Sequence, residues 1–502
     1  MRSASASGTR HESSRPTGRD LGARDARTAP VAGRLLDGLV ALGFAGVTLM
    51  MRAAVRVYFR HLRVRHRERF PRRGPVLLVA NHPAMWTDVL VLDVALARKL
   101  HFLALGQLFK PFVRAFLLEL HGALPVIPSP GEHDRTGNED TFRRCRALFD
   151  GGHVVALFPE GVSEADRTVL QLRTGAARLA LAAARRDPAQ TSSPHRAGEP
   201  HSSGFAGSDA TAHVPVLVPT GIHYADRTSF GSEVTVSVGE PVDLAPYLAQ
   251  AEVDPEGVVH ALTGHLHQRL RSLILDLPQP ALAAAISQLE PLARLSPRRG
   301  ARELESAQRV AARLEQLRVQ EPERFAVIRR HGRAYAKARG ALHLSDRALS
   351  WDRRGRPWRQ RTGTLTVLCV LGAPAAAVGA LLHAAPWAAG EWIAHHVGRD
   401  PARFAFGRII SGLVFFPLAY LVLVIVLTRI YGFPLWSALA AVVLTVSLGL
   451  WMLPYVQWVH ALWERARLLG LEWRQPRLVR RARAEQRLLL RLVAEAAAEA
   501  RP

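Results

Sequence analysis

Between two apolar runs the chain reads LLVANHPAMWTDVLVL, from Leu77 to Leu92. A strand ending at Ala80 delivers His82 to the edge of a sheet. Asp88 then falls in the first turn of the next helix, where the helix dipole favours an ionised carboxylate. Such an Asp can accept the His Nδ1–H, fix the tautomer and make Nε2 the better base. Alone, the pair is a weak signal, because a strand-end His is commonly only a polar loop residue.

A second stretch, LFPEGVSEADRTVLQLRTGAARLAL (157–181), ends another strand in a Pro-Glu-Gly turn. Glycine there lets backbone approach a ligand closely. Arg173 and Thr174 open a small-residue helix at Gly175, where an anion can meet backbone N–H groups and a guanidinium. The plainer readings are a turn carboxylate paired with a surface Arg, for Glu160, and a solvated helix start, for Arg173. Both stretches lie at C-terminal strand ends, where open α/β sheets bind ligands.

Other chemistries find less support. Cys145 sits in a helical pattern, TFRRCRALF, that reads as core. No Ser or Cys occupies a nucleophile elbow. His195, His201 and His213 fall in a polar insert and His395–His396 follow an apolar run, so no metal site is expected.

The elements that must position these residues follow from periodicity. PVLLVA (75–80), HVVALF (153–158), VPVLVP (214–219) and VTVSVG (234–239) are short apolar strands separated by helical patterns. Such spacing predicts an α/β fold with a mostly parallel sheet flanked by helices. The expected order is a disordered basic tail (1–32), an interfacial helix (33–60) and an α/β catalytic domain (61–245) with a flexible insert at 183–213. A helical subdomain (246–362), membrane-embedded segments (363–455) and a basic C-terminal helix (456–502) complete it.

The 502 residues carry a net charge of +24, almost all from arginine. That surplus calls for a polyanionic partner, nucleic acid or an anionic membrane surface. The apolar stretches at 364–390, 409–427 and 433–453 decide for anionic membrane lipids, and no aromatic–arginine interleaving supports nucleic acid. Two cysteines suit a reducing compartment. The last two apolar stretches approach the ~20 residues of a membrane span. The first contains Pro374 and Pro386 and is expected to be re-entrant or interfacial. Arginine-rich flanks at 353–361 and 465–481 should both be cytoplasmic, which implies an even number of crossings.

Together NHPAMWTD, GALPVIP (122–128), FPEG (158–161) and VPTGIHY (218–224) resemble, in order and spacing, the four motif blocks of the glycerolipid acyltransferase family. Five residues between His82 and Asp88, and Ser163 after FPEG, resemble the branch of glycerol-3-phosphate and dihydroxyacetone-phosphate acyltransferases. The resemblance implies His82 as general base, Asp88 as its orienting partner, and Asn81, Glu160, Gly161, Ser163, Arg173 and Thr174 as substrate-binding. The Arg usual after the second block is replaced by Pro128, with Arg135 the nearest substitute, and the usual Lys of the third block is Arg173.

The function so implied is a membrane-bound O-acyltransferase without a cofactor, using acyl-CoA or acyl-ACP as thioester donor. Its acceptor would be glycerol 3-phosphate or 1-acylglycerol 3-phosphate, with the catalytic domain on the cytoplasmic side of the inner membrane. A lysophospholipid or other lipid acceptor on the same fold, or a catalytically inactive membrane scaffold, are the alternatives.

Overall fold

The computed structural model describes residues 46, 48–109, 122–126, 139–161, 168–185, 214–227, 229–277, 279–293, 303–350, 356–397 and 401–499. The 183–213 insert beyond residue 185, Ser163, Pro128 and Arg135 therefore lie outside the described residues.

A helix at 51–58 (α1) leads into seven strands: β1 His61–Arg65, β2 Val76–Ala80, β3 Leu100–Leu105, β4 Leu124–Val126, β5 Val154–Leu157, β6 Val216–Tyr224 and β7 Glu233–Val238. They form one sheet in the order β1-β7-β6-β2-β5-β3-β4, in which only the β6–β7 pair is antiparallel. β2 is buried along its whole length between β6 and β5, which is why it is an unbroken apolar run. The mostly parallel α/β expectation therefore holds, with three additions. HLRVR is the edge strand β1, LHFLAL is β3, and LPV is the opposite edge strand β4.

Helices α2 Trp86–Ala95, α3 Glu139–Asp150, α4 Gly175–Ala184, α5 Ala245–Gln250 and α6 Pro255–Leu273 cover the sheet. One apolar core holds Val76, Leu78, Val91 and Leu92; the other holds Leu77, Val79, Leu179 and Leu266. The alternation along β2 assigns its side chains to the two faces.

Helices α7 Pro280–Ala293, α8 Glu303–Gln320, α9 Pro322–Leu342 and α10 Asp346–Leu349 form a second core with α14 Pro476–Glu499. The basic C-terminal stretch thus buries Val479, Ala482 and Leu489 in that subdomain. Three long helices lie between: α11 Arg356–Val397, α12 Pro401–Ile425 and α13 Leu435–Arg474. Each is long and apolar enough to cross a membrane.

The stretch at 364–390, expected to be re-entrant or interfacial, lies within one helix: α11 runs through Pro374 and Pro386 without interruption. Close packing supports it, since Gly372 and Gly379 admit Tyr455 and Leu448 of α13, while Gly390 meets Ser411 of α12. Membrane helices tolerate proline where neighbouring helices supply such support. The third apolar stretch likewise runs on within α13 as far as Arg474.

α11 also meets the α/β domain. Near its start, Arg361 and Leu365 line a cavity with Arg60. Farther on, Trp387 packs edge-on against Phe230, which packs edge-on against Tyr58. α12 enters the sheet's core through Ala405 and Ile409, and its Phe406 stacks on Trp86.

Candidate active site

β2 and β5 are adjacent and parallel, so the loops leaving their C-terminal ends emerge side by side. The backbone N–H of His82, after β2, donates to Glu160 Oε1, after β5, at 2.9 Å. The second Glu160 oxygen accepts from the Leu170 N–H at 3.2 Å. Burial pushes the Glu160 carboxyl above the usual carboxylate range, and these two backbone donors pull it back down. Glu160 therefore joins the two loops.

His82 Nδ1 lies 2.9 Å from Asp88 Oδ2. Asp88 is fully buried, and its charge is met on every side: Oδ2 also accepts the Ala84 N–H at 2.7 Å, and Oδ1 accepts the Tyr224 hydroxyl at 2.7 Å. It lies in the first turn of α2, where the helix dipole adds to these donors. Burial, and then the Asp88 charge, hold the Tyr224 phenol well above its ordinary value. The carboxylate so held takes the His82 Nδ1–H, which leaves Nε2 with its lone pair free for a proton. Among the described residues Nε2 makes no hydrogen bond, and the side chain keeps 20% exposure.

The loop that makes this possible is strained. Met85, the cap of α2, has φ 46° and ψ −126°, a conformation that costs a non-glycine residue about 1–3 kcal/mol. Arg227 donates to the Pro83 carbonyl at 2.8 Å and holds the loop from the β6 side.

Asn81, expected among the substrate-binding residues, has its amide committed elsewhere. It donates to Ile222 O at 3.0 Å and accepts from Ile222 N at 2.7 Å, extending the β2–β6 ladder by one side-chain rung. Gly161 has φ +70°, and a Cβ there would lie 2.5 Å from Arg173 Nε. Arg173 thus lies across the Pro-Glu-Gly turn, anchored by its own N–H to Pro159 O at 2.8 Å. Its side chain is exposed and pairs with no carboxylate among the described residues. Thr174 caps α4 without a side-chain cap bond, and its hydroxyl accepts instead from Arg178 at 3.3 Å.

Three contributors escaped the sequence reading: Phe158, Tyr224 and Arg227. Tyr224 ends the VPTGIHY block and Phe158 opens FPEG, so position within a motif was the available signal. The described residues hold no group of three or more candidate metal ligands.

The structure thus brings a His82–Asp88 pair to the strand-end crevice of an α/β sheet, on the loop that Glu160 joins to the turn carrying Arg173, a guanidinium that pairs with no carboxylate among the described residues. Residues 61–194 match the family model described as Acyltransferase, and that part of the chain is an acyltransferase domain. No curated protein matches the chain. Among solved structures, the chain is similar to the 1-acyl-sn-glycerophosphate (LPA) acyltransferase PlsC from Thermotoga maritima. Identity is 15% over 46% of this chain and 79% of that one, with a TM-score of 0.30, too loose an overlap to bear on function.

Proposed function

We propose that the protein is a membrane-bound O-acyltransferase that moves a fatty acyl group from an acyl thioester to a hydroxyl of glycerol 3-phosphate or 1-acylglycerol 3-phosphate. The observation that carries this is the buried Asp88 on His82 Nδ1, with Nε2 left open beside the Glu160–Gly161 turn and Arg173. Nε2 takes the proton of the acceptor hydroxyl as its oxygen attacks the thioester carbonyl. The C–O bond forms, the C–S bond breaks, and the proton passes from His82 to the leaving thiolate.

Arg173 is the group suited to the acceptor phosphate, since a guanidinium offers two parallel donors to phosphate oxygens. The His82 N–H is already bound by Glu160, so it is no donor to a developing oxyanion. No protein nucleophile is needed, and Cys145 is buried in the core with its thiol pushed up to about 12.

The apolar helices favour an acceptor or product with a lipid tail. The test is a parallel assay of purified protein with acyl-CoA and glycerol 3-phosphate, lysophosphatidate or lysophosphatidylcholine. Turnover on either phosphate monoester supports the proposal, and turnover confined to the choline lipid overturns it.

A further inference from the structure

Away from the His82 loop, a cavity of about 670 Å³ opens where α11, α13 and α10 meet the end of α1. Arg60, Arg347, Arg361 and Arg465 line it, with His460 beside them. The lining includes one carboxylate, Glu464, and both its oxygens are occupied: Oε1 accepts the Ser345 N–H and Oε2 the Ser345 hydroxyl, each at 3.0 Å. Arg60, Arg347 and Arg361 are exposed and form no ion pair among the described residues. Arg465 is only 6% exposed and lies over the Trp358 ring, 5.2 Å from its centroid. Four guanidiniums against one carboxylate among the lining residues make a site for a multiply charged anion.

The rest of the wall is apolar. Leu365, Val456 and Trp458 line it, and exposed Val367, Val370 and Val459 continue away along α11 and α13. Arginine and tryptophan at the end of an apolar helix surface are the composition of a membrane interface.

We propose that this cavity binds the phosphate of an anionic phospholipid headgroup, with the lipid tails lying along α11 and α13. The guanidiniums supply planar, paired donors that suit phosphate oxygens. The site is separate from the acyl-transfer centre. Arg60 is at the same edge of the sheet as His82, but β1 stands three strand spacings from β2, roughly 14 Å. The lipid would fix the helices against the subdomain rather than react.

The test titrates detergent-purified full-length protein with dioctanoyl phosphatidylglycerol, followed by thermal unfolding and tryptophan emission. A rise in Tm is expected, with none from dioctanoyl phosphatidylcholine and with weaker binding of inorganic phosphate or coenzyme A. Arg347→Gln and Arg361→Gln, both at exposed positions, should each weaken binding roughly tenfold, while Arg480→Gln on α14 leaves it unchanged. His82→Ala and Arg173→Ala should bind the lipid as wild type does, which separates this cavity from the reaction centre. Equal binding of phosphatidylcholine, or indifference to both arginine substitutions, overturns the proposal. So does tighter binding of inorganic phosphate or coenzyme A than of the lipid.

Discussion

The His82 ring lies flat on that of Phe158, with centroids 3.9 Å apart and planes 7° from parallel. Asp88 fixes one edge of the imidazole and Phe158 fixes its face, so the direction in which Nε2 points is determined. Phe158→Ala removes the face contact and should lower kcat about tenfold while leaving the donor KM near its native value. Phe158→Tyr keeps the ring and should retain most of the activity. A steady-state comparison in which Phe158→Ala matches wild type would show that the stack is mere packing.

His82→Ala should reduce kcat by roughly 10²–10⁴, the usual worth of a general base, with little change in acceptor KM. Asp88→Asn should also fall mainly in kcat, because the amide cannot hold the imidazole in the same tautomer. Tyr224→Phe deletes one of the donors to Asp88 and should cost about 10- to 100-fold in kcat. Because the Tyr224 phenol is held above its ordinary value, it stays protonated across the neutral range. The Tyr224→Phe deficit should therefore be the same at pH 6 and pH 9, and a deficit that vanishes at high pH would refute the role.

Arg173→Ala should raise the acceptor KM and leave the donor KM unchanged. Arg173→Lys should recover only part of the loss. The structure adds a sharper test. Gly161→Ala places a methyl 2.5 Å from Arg173 Nε at a residue with φ +70°, so it should displace the guanidinium and reproduce the Arg173→Ala kinetics. If Gly161→Ala kept a native acceptor KM while Arg173→Ala did not, the packing described here would be wrong.

Cys145 and Cys369 are both buried, and the Cys145 thiol lies at about 12. Alkylating reagents at neutral pH should leave the native protein unmodified by mass and fully active, and should modify both thiols only after unfolding. Rapid inactivation by such a reagent would point to a thiol in the reaction.

The topology of the apolar helices follows from contacts. Leu365 lines a cavity with Arg60, and Trp387, about 33 Å further along α11 at 1.5 Å per residue, packs on Phe230 beside Tyr58. A helix lying along the bilayer surface would keep both segments on the side of the α/β domain. Arg361 and Arg465 also share one cavity, so the chain returns to the side it left. The expected result is that α12 and α13 cross as a pair and α11 does not. Single cysteines at Gln360 and His395 should both be labelled from the cytoplasmic side, and labelling from opposite sides would rule this arrangement out.

Much of this was legible in the sequence because it is local. The apolar runs of β2, β5, β6 and β7 read as strands, and His82, Asp88, Glu160 and Arg173 were singled out as candidates from their strand-end positions and from motif resemblance. β1 was obscured by Arg63 and Arg65, which an edge strand can carry because one side lacks a neighbour. Tyr224 and Arg227 support the His82 loop from some 140 positions away, and no periodicity records such a contact. The prolines of α11 suggested a re-entrant or interfacial stretch, because the α12 and α13 residues that pack on its glycines lie tens of positions further along the chain.

The rung made by Asn81 and Ile222 bears on the order in which the site comes into being. During synthesis the whole His82–Asp88 motif leaves the ribosome well before Ile222, Tyr224 and Arg227. The match to the acyltransferase family also stops at residue 194, short of all three. Until β6 docks, Asn81 has no partner, Asp88 lacks its phenol, and the Pro83 carbonyl lacks its guanidinium. A nascent chain ending near residue 194 would carry the motif complete in letters but without these three partners, so the proposed reaction centre would be among the last parts of the domain to be finished.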